Sequence, residues 1–499
     1  MGLPLVDTEQ FNNPEVLLDT LIVLREEVIK EAEEAVERWR PVIAPDRRFF
    51  NSSVQNLAAY LALRRRDLRV IQDALRPWGL SSLGRIEAQV MENLAAVIRT
   101  LAALSDRHEA SLPARPSQDD FNQGRRILRG EADAIFGPPP KNRNVRTMVT
   151  LPTEAAFNKQ LVREMVERGM NVARINCAHD TPDEWMRMID NVRAAEAATE
   201  RNVRIAMDLG GPKLRTSDVL QPDKHRVRRG DHVLLIRNEP ADIAYYPAQV
   251  RCSLPEALEQ VGIGHNVWFD DGKIGTKVID IRPEGVVLEV TRARDEGERL
   301  RVEKGINFPD SMLHLDALTE KDLLDLDFVI EHADIINFSF VQTPADVRHL
   351  QTEIDRRRAD KIPALVLKIE TSSAIKYLPE LIVTAGSRQP VGVMIARGDL
   401  AVEIGYERLA EMQEQIMWVC EAAHTPVIWA TQVLEGLAKK GRPSRAEVTD
   451  AAMAERAECV MLNKGPYILD AISILDGILG RMAEHQSKKS ARLRALRSW

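Results

Sequence analysis

Between residues 13 and 104 apolar positions recur at helical spacing. Asn13 can cap and Pro14 suits a first helical position, and Val16, Leu17, Leu21, Ile22, Leu24 and Val28 follow on one face. The same period predicts helices over 54–77 and 84–104. From 105 to 144 the pattern gives way to Pro, Ser, Gly and charge, ending in GPPPKNRN, which predicts a linker with little core of its own. After residue 145 short β-rich apolar runs alternate with amphipathic helical segments. Strands are predicted at 146–151, 170–177, 202–209, 334–341, 364–370, 391–397, 425–432 and 458–464. Eight βα units in series favour a TIM-type (β/α)8 barrel over an open doubly wound sheet. Between the third and fourth strands the residues alternate with period two around D-D-G and P-E-G turns, predicting a small β-barrel lid domain inserted over the barrel mouth. The α/β chain therefore divides into an all-α N-terminal domain over 1–104, a linker over 105–144, a catalytic barrel over 145–216 and 311–481, the lid over 217–310 and a basic tail over 482–499.

Polar residues break this pattern at one kind of place. In ALVLKIET, residues 364–371, a buried-strand run ends with Lys368 and Glu370, two apart and so on one face. Arg174 and Asn176 end the second strand, Asp208 the third, and Ser339 lies near the end of the fourth. Arg397 and Asp399 follow the sixth strand, and Thr431 with Gln432 ends the seventh. In such barrels chemistry sits at the C-terminal strand ends. Each residue alone has an ordinary explanation: a helix cap for Asp399, a turn for Thr431, an ion pair for Lys368 with Glu370. Converging from six strands they favour a site, because buried charge is too costly to keep for packing alone. Two carboxylates among oxygen neighbours, with no His or Cys cluster, suit a hard divalent cation, Mg2+ or Mn2+, that shares its shell with substrate phosphate or carboxylate. Arg174, Lys368 and that ion would form the charge clamp a transferring phosphoryl group requires. Neither G-x-x-x-x-G-K-[ST] nor G-x-G-x-x-G occurs, so a nucleotide would have to bind without those loops.

Composition narrows the partners. The chain has 68 Lys plus Arg against 75 Asp plus Glu, a net charge of −7 that gives no general attraction to nucleic acid or anionic membrane. No apolar run approaches the ~20 residues of a bilayer span. Cys177, Cys252, Cys420 and Cys459 show no C-x-x-C spacing, so neither a disulfide framework nor a zinc site is predicted, and the chain reads as reduced and cytoplasmic. Arg64, Arg65, Arg66 and Arg69 read as a solvated helix face or a subunit contact.

The segments MNVARINCAHD, MDLGGPKLRT, LKIET, MIARGDLAVEIG and VIWATQVLEGLAKKGRPSRAEVTDAA together resemble the successive signatures of the pyruvate kinase family, in its order and with its lid at the expected place. The resemblance covers about residues 145–481 and implies transfer of a phosphoryl group from phosphoenolpyruvate to ADP, giving pyruvate and ATP. It implies that Lys368 neutralises charge on the phosphoryl group and the enolate. Glu370 and Asp399 would ligate Mg2+ or Mn2+, Arg174 would bind phosphate, and Thr431 would stand beside the enolate carbon that is protonated. Backbone N–H groups around Ala396, Arg397, Gly398 and Asp399 would hold the substrate carboxylate at a helix N-terminus. Asn176, His179 and Arg215 fall at nucleotide- or cation-side positions, Asp271 at the lid's active-site edge, and Lys304 at its phosphate-contacting lysine.

The departures carry their own expectations. Members that need K+ have an acidic residue where this chain has Lys213 and a serine where it has Ala178, so the resemblance implies activity without K+, the Lys213 ammonium standing in for the ion. The first-strand T-I-G-P appears as Thr150-Leu151-Pro152, and the loop after strand eight is reduced to Asn463-Lys464-Gly465-Pro466-Tyr467; both border the nucleotide side. The family's C-terminal effector domain has no counterpart after residue 481, which argues against regulation by that route. The N-terminal helices are expected to serve oligomerisation, as in a homo-oligomer, or regulation. Two alternatives remain open at this point. One is a non-catalytic regulatory protein binding phosphoenolpyruvate or nucleotide, and the other is a different metal-dependent enolate enzyme.

Overall fold

The computed structural model describes residues 11, 13–43, 48–81, 83–107, 111–237, 246, 248–311, 313, 315–357, 361–488 and 490–491. The last eight residues of the predicted basic tail, with Lys489, lie outside the described residues.

The N-terminal apolar periodicity forms helices α1 (Pro14–Trp39), α2 (Arg48–Arg64), α3 (Arg69–Leu75) and α4 (Val90–Leu104). Asn13 starts α1 as expected, its side chain accepting the Glu15 N–H at 2.9 Å. Leu17, Leu18 and Leu21 on α1, Leu57 and Leu63 on α2, and Leu94 and Ile98 on α4 are fully buried. The arginine cluster beside α2 is spent within the chain: Arg65 and Arg66 pair with Glu31 and Glu27, and Arg69 with Asp67. Arg64 lies 4.8 Å from the Trp418 ring centroid.

The segment 105–144, expected as a linker, instead carries a 19-residue helix, α5 (Gln118–Phe136). A Ser117–Asp120 capping box starts it. Ala132, Ile135 and Phe136 at its end are almost fully buried and close the floor of the barrel against Met148, Met394 and Ile428.

The eight predicted strands all form. They are β1 (Arg146–Thr150), β2 (Val172–Asn176) and β3 (Arg204–Asp208), then, after the insertion, β11 (Ile335–Phe338), β12 (Ala364–Ile369), β13 (Val391–Ala396), β14 (Val427–Ala430) and β15 (Cys459–Leu462). All pair in parallel and close in the order β1-β15-β14-β13-β12-β11-β3-β2. Helices α6 (Lys159–Arg168), α7 (Pro182–Thr199), α8 (Glu320–His332), α9 (Pro344–Arg356), α10 (Ser372–Lys376), α11 (Leu378–Gly386), α12 (Arg397–Ile404), α13 (Tyr406–Ala422), α14 (Glu435–Lys440) and α15 (Arg445–Met453) lie between the strands, and α16 (Ile468–Met482) follows the last. The N-terminal helices dock on this ring so closely that a Cβ on Gly386 of α11 would lie 2.2 Å from the Phe50 ring of α2.

The inserted strands are β4 (Thr216–Leu220), β5 (His232–Ile236), β6 (Ala248–Cys252), β7 (Asn266–Phe269), β8 (Ile274–Arg282), β9 (Gly285–Arg292) and β10 (Ile306–Asn307). They form one seven-stranded sheet with its own core around Val233, Val250, Phe269 and Leu288. A single antiparallel bridge, Arg215 to Gly305, draws its two edge strands together at the root, where the insertion leaves and re-enters the barrel. Among the described residues no helix is long and apolar enough to cross a membrane.

Candidate active site

At the C-terminal end of β12, Lys368 and Glu370 both turn into the barrel, as their two-residue spacing requires. Lys368 Nζ donates to Ser339 Oγ at 2.7 Å and lies 3.2 Å from Glu370 Oε1 and 3.3 Å from Asp208 Oδ2. Arg174, on β2 three strands around the barrel, grips the same aspartate with both arms, Nε to Oδ1 at 2.9 Å and Nη2 to Oδ2 at 2.7 Å. Its third nitrogen donates to Thr150 Oγ1, and Asn337 Nδ2 donates to Asp208 Oδ1. Asp208 is thus the shared counter-ion of two buried cations. Burial alone would push its carboxyl up, but Arg174 and Lys368 outweigh burial and hold it at about 2. Lys368 is stripped of water, which disfavours its charge, yet Glu370 and Asp208 overcompensate and raise its proton affinity.

Glu370 and Asp399 form the opposite, anionic side. Glu370 Oε2 accepts the Phe340 N–H at 2.6 Å. Burial and then the neighbouring Asp399 charge raise its pKa, with Lys368 opposing. Asp399, in the first turn of α12, accepts from Lys213 Nζ at 2.7 Å. Lys213 also sits 5.8 Å from the Phe340 ring centroid.

The turn after β14 closes the site. Thr431 and Gln432 both have positive φ, 62° and 56°, a backbone held in place by its surroundings. Thr431 Oγ1 accepts the Gly398 N–H at 2.8 Å, so one donor of the α12 N-terminus is already taken and the threonine O–H is left to point elsewhere. Arg397 turns away from the mouth. It donates to the Ala430 carbonyl, pairs with Asp450 and stacks 4.8 Å from the Trp429 ring centroid, which fixes the β14 turn rather than offering charge to a ligand.

Two cavities flank this cluster. One, of about 230 Å3, is lined by Thr150, Leu151, Arg174, Asn176, His179, Asn463 and Lys464 among others. His179 there is kept neutral by burial and by the Lys464 and Arg215 charges, all of which lower its pKa. The other, of about 220 Å3, lies between barrel and lid and is reached by Lys213, Asp399, Phe340 and Asn307.

The family described as "Pyruvate kinase, barrel domain" matches residues 142–471. The chain belongs to the pyruvate kinase family. It is 33% identical over 353 residues to a pyruvate kinase from Thermococcus litoralis, covering 69% of this chain and 70% of that one. Against the Homo sapiens pyruvate kinase PKLR it is 32% identical, over 65% of this chain and 57% of the relative. Against a Bacillus licheniformis pyruvate kinase it is 30% identical, over 68% and 57%. The chain therefore spans between about half and just over two thirds of the length of these pyruvate kinases.

Of the residues that the family motifs single out, Arg174, Lys368, Glu370, Asp399, Thr431, Lys213 and the Ala396–Asp399 turn converge on one point. Asn176 and His179 line the first cavity beside it, and both departing loops contribute to the same wall through Leu151 and Asn463-Lys464. The lid residues are not drawn in. Lys304 Nζ faces Asp270 Oδ1 at 3.5 Å and Asp271 occupies a left-handed turn at φ 56°. Arg215, at the root of the lid, donates to the Glu303 carbonyl and brings its charge to bear on His179 of the first cavity.

Among the described residues no group of three His, Cys, Asp or Glu side chains could hold a metal ion. That suits a cation taking two protein carboxylates and completing its shell from substrate and water, as Mg2+ does. The burial of Glu370 against a second carboxylate leaves an anionic pair that such an ion would relieve, so the residues present fit a divalent ion. Sequence reasoning found Asp208 and Ser339 only as strand ends and missed Asn337 and Asp450. The signal for Asn337 was available, a polar residue inside the apolar run IINF. Asp450 gave none, since its partners Arg397 and Trp429 lie 53 and 21 positions away in sequence.

Proposed function

We propose that this pyruvate kinase relative transfers the phosphoryl group of phosphoenolpyruvate to ADP, with Mg2+ or Mn2+ at Glu370 and Asp399 and without K+. The observation that carries the reading is Lys368 and Arg174, two buried cations locked on Asp208, facing the Glu370–Asp399 carboxylates. The P–O bond to the enol oxygen breaks, a P–O bond to the terminal phosphate oxygen of ADP forms, and the enolate carbon takes a proton to give pyruvate. A divalent ion would neutralise phosphoryl and carboxylate oxygens. Lys368 and Arg174 are preorganised cations for the charge on the phosphoryl oxygens, in a site where little reorganisation is needed. Thr431, its oxygen fixed by the Gly398 N–H, offers its own O–H toward the enolate carbon, directly or through water. Lys213 supplies beside Asp399 the single positive charge that a monovalent ion would otherwise bring.

The test is pyruvate formation from phosphoenolpyruvate and ADP with Mg2+ in buffer free of K+ and Na+. Lys368→Met is expected to lose about a thousandfold or more in turnover while still binding the metal. Lys213→Glu is expected to make turnover depend on added K+. Wild-type turnover that rises strongly with K+ would overturn the assignment of Lys213. Calorimetric binding of phosphoenolpyruvate with no turnover in any salt would favour the non-catalytic reading instead.

A further inference from the structure

A large cavity lies away from the barrel mouth, at the N-terminal face of the barrel, where α5 and the segment leading into α4 meet it. Its volume is about 690 Å3, ample for a metabolite. Its lining is cationic: Arg85, Arg125, Arg126, Arg129, Arg146, Arg456 and Lys488 against Glu87, Glu421, Glu455 and Glu458. Four of the cations are matched, Arg126 to Asp119, Arg146 to Asp133, Arg456 to Glu414 and Lys488 to Glu458. Arg85, Arg125 and Arg129 have no carboxylate partner among the described residues. Arg125 and Arg129 stand one turn apart on α5, on the same face as Asn122, so their guanidinium groups can converge on one anion.

A second observation points to a ligand. Gln89, more than nine-tenths buried, lines this cavity with its side-chain Oε1 shielded from solvent and unpartnered. The Arg456 Nε in the same wall is likewise buried without a partner. The Arg456 Nε–H is a donor that an anion's oxygen would satisfy, whereas Gln89 Oε1 can only accept and calls for a hydroxyl or a protonated oxygen on the ligand; left unmet, each costs about 1–3 kcal/mol.

We propose that this cavity is a binding site for a small phosphate-bearing anion, held by Arg125 and Arg129 with Arg85 opposite. Arginine forks match phosphate oxygens in pairs, and three arginines without carboxylate partners line this one cavity. The site is separate from the mouth, since the cavity includes no residue of the Lys368 cluster. It is also tied to the barrel, because α5 carries the arginines at its middle and the floor residues Ile135 and Phe136 at its end.

The experiment is calorimetric titration of the full chain with inorganic pyrophosphate in the presence of a chelator, which removes the divalent ion from the mouth. Wild type and Lys368→Met are expected to bind alike. The double variant Arg125→Glu/Arg129→Glu is expected to bind at least about tenfold more weakly, as loss of two charge-assisted contacts implies. Both arginines are exposed and unpaired, so its melting temperature without ligand should match wild type. No pyrophosphate binding by wild type at millimolar concentration, binding that survives in the double variant, or binding lost in Lys368→Met would each overturn the proposal.

Discussion

Asp208 holds the site's charges apart and in register. Removing it leaves Arg174 and Lys368 buried side by side with only Glu370 between them, the situation in which breaking a buried network costs about 3–5 kcal/mol. Asp208→Ala is therefore expected to lower the denaturant midpoint markedly and to abolish turnover. An unchanged midpoint would show that the two cations find other partners. The same group sets an acid limit. Its folded pKa of about 2 lies below its ordinary 3.8, so its contribution, on the order of 2 kcal/mol, is present above about pH 4 and is lost as pH falls toward 2. At this scale the sequence was informative about direction and silent about partners. The spacing of Lys368 and Glu370 put both on one face, whereas the Arg174–Asp208 pair depends on the β2–β3 register, Asn176 opposite Asp208, which no single strand encodes.

Helix α5 shows how local propensity and packing can disagree in sign. A glycine inside a helix costs up to about 1 kcal/mol relative to alanine, so both Gly124 and Gly130 look improvable. Around Gly130 nothing lies within 4 Å of a built Cβ, but at Gly124 that atom would fall 2.0 Å from the Ala88 carbonyl oxygen and 2.5 Å from His424 Nε2. Gly130→Ala is expected to stabilise by about 0.5–1 kcal/mol and Gly124→Ala to destabilise by about 1–3 kcal/mol, both read from urea midpoints. Equal effects at the two positions would mean that α5 does not dock on Ala88. This helix was the element hidden in the sequence, because the prolines on both sides and its glycines and charges resemble a linker. Its apolar positions Leu128, Ala132, Ile135 and Phe136 do fall at helical spacing, and a Ser-x-x-Asp box precedes them. The eight barrel strands were legible because a strand buried on both faces is a continuous apolar run that flanking helices cannot imitate.

On the scale of the whole molecule the helical segment and the barrel share one core. A single hydrophobic cluster runs from Leu17 and Leu57 through Ile382 and Val393 to Leu475. Deleting residues 1–140 would strip cover from α11 and α13 and open the barrel floor, so the truncated chain is expected to aggregate or lose its cooperative melt. A soluble truncation melting at the full-length temperature would overturn that view. The seam is pinned by polar contacts that no periodicity reveals. His424, just before β14, meets Ser53 Oγ at 2.9 Å through Nδ1 and the Ala88 carbonyl at 2.8 Å through Nε2, partners 371 and 336 positions away in sequence. A carbonyl can only accept, so Nε2 carries the proton and Nδ1 accepts from the serine O–H.

Neutral His424 makes this seam sensitive to acid. Burial lowers its pKa below the ordinary 6.5, so its contribution to stability is present above about pH 6.5 and declines as pH drops from there toward the folded value, while the unfolded chain takes up the proton. Glu92, which lines a cavity of about 200 Å3 at this seam together with His424 and Asp120, works in the other direction. Burial raises its pKa above 4.5, so its contribution is full below that value and declines as pH rises through its own titration. The two slopes are separable by mutation. In His424→Gln the wild-type loss of midpoint between pH 7 and 5 is expected to flatten, on a baseline lower by about 1–3 kcal/mol for the broken hydrogen bonds. A variant that keeps the full wild-type slope would assign the acid sensitivity to other groups and remove His424 as the titrating pin between helices and barrel.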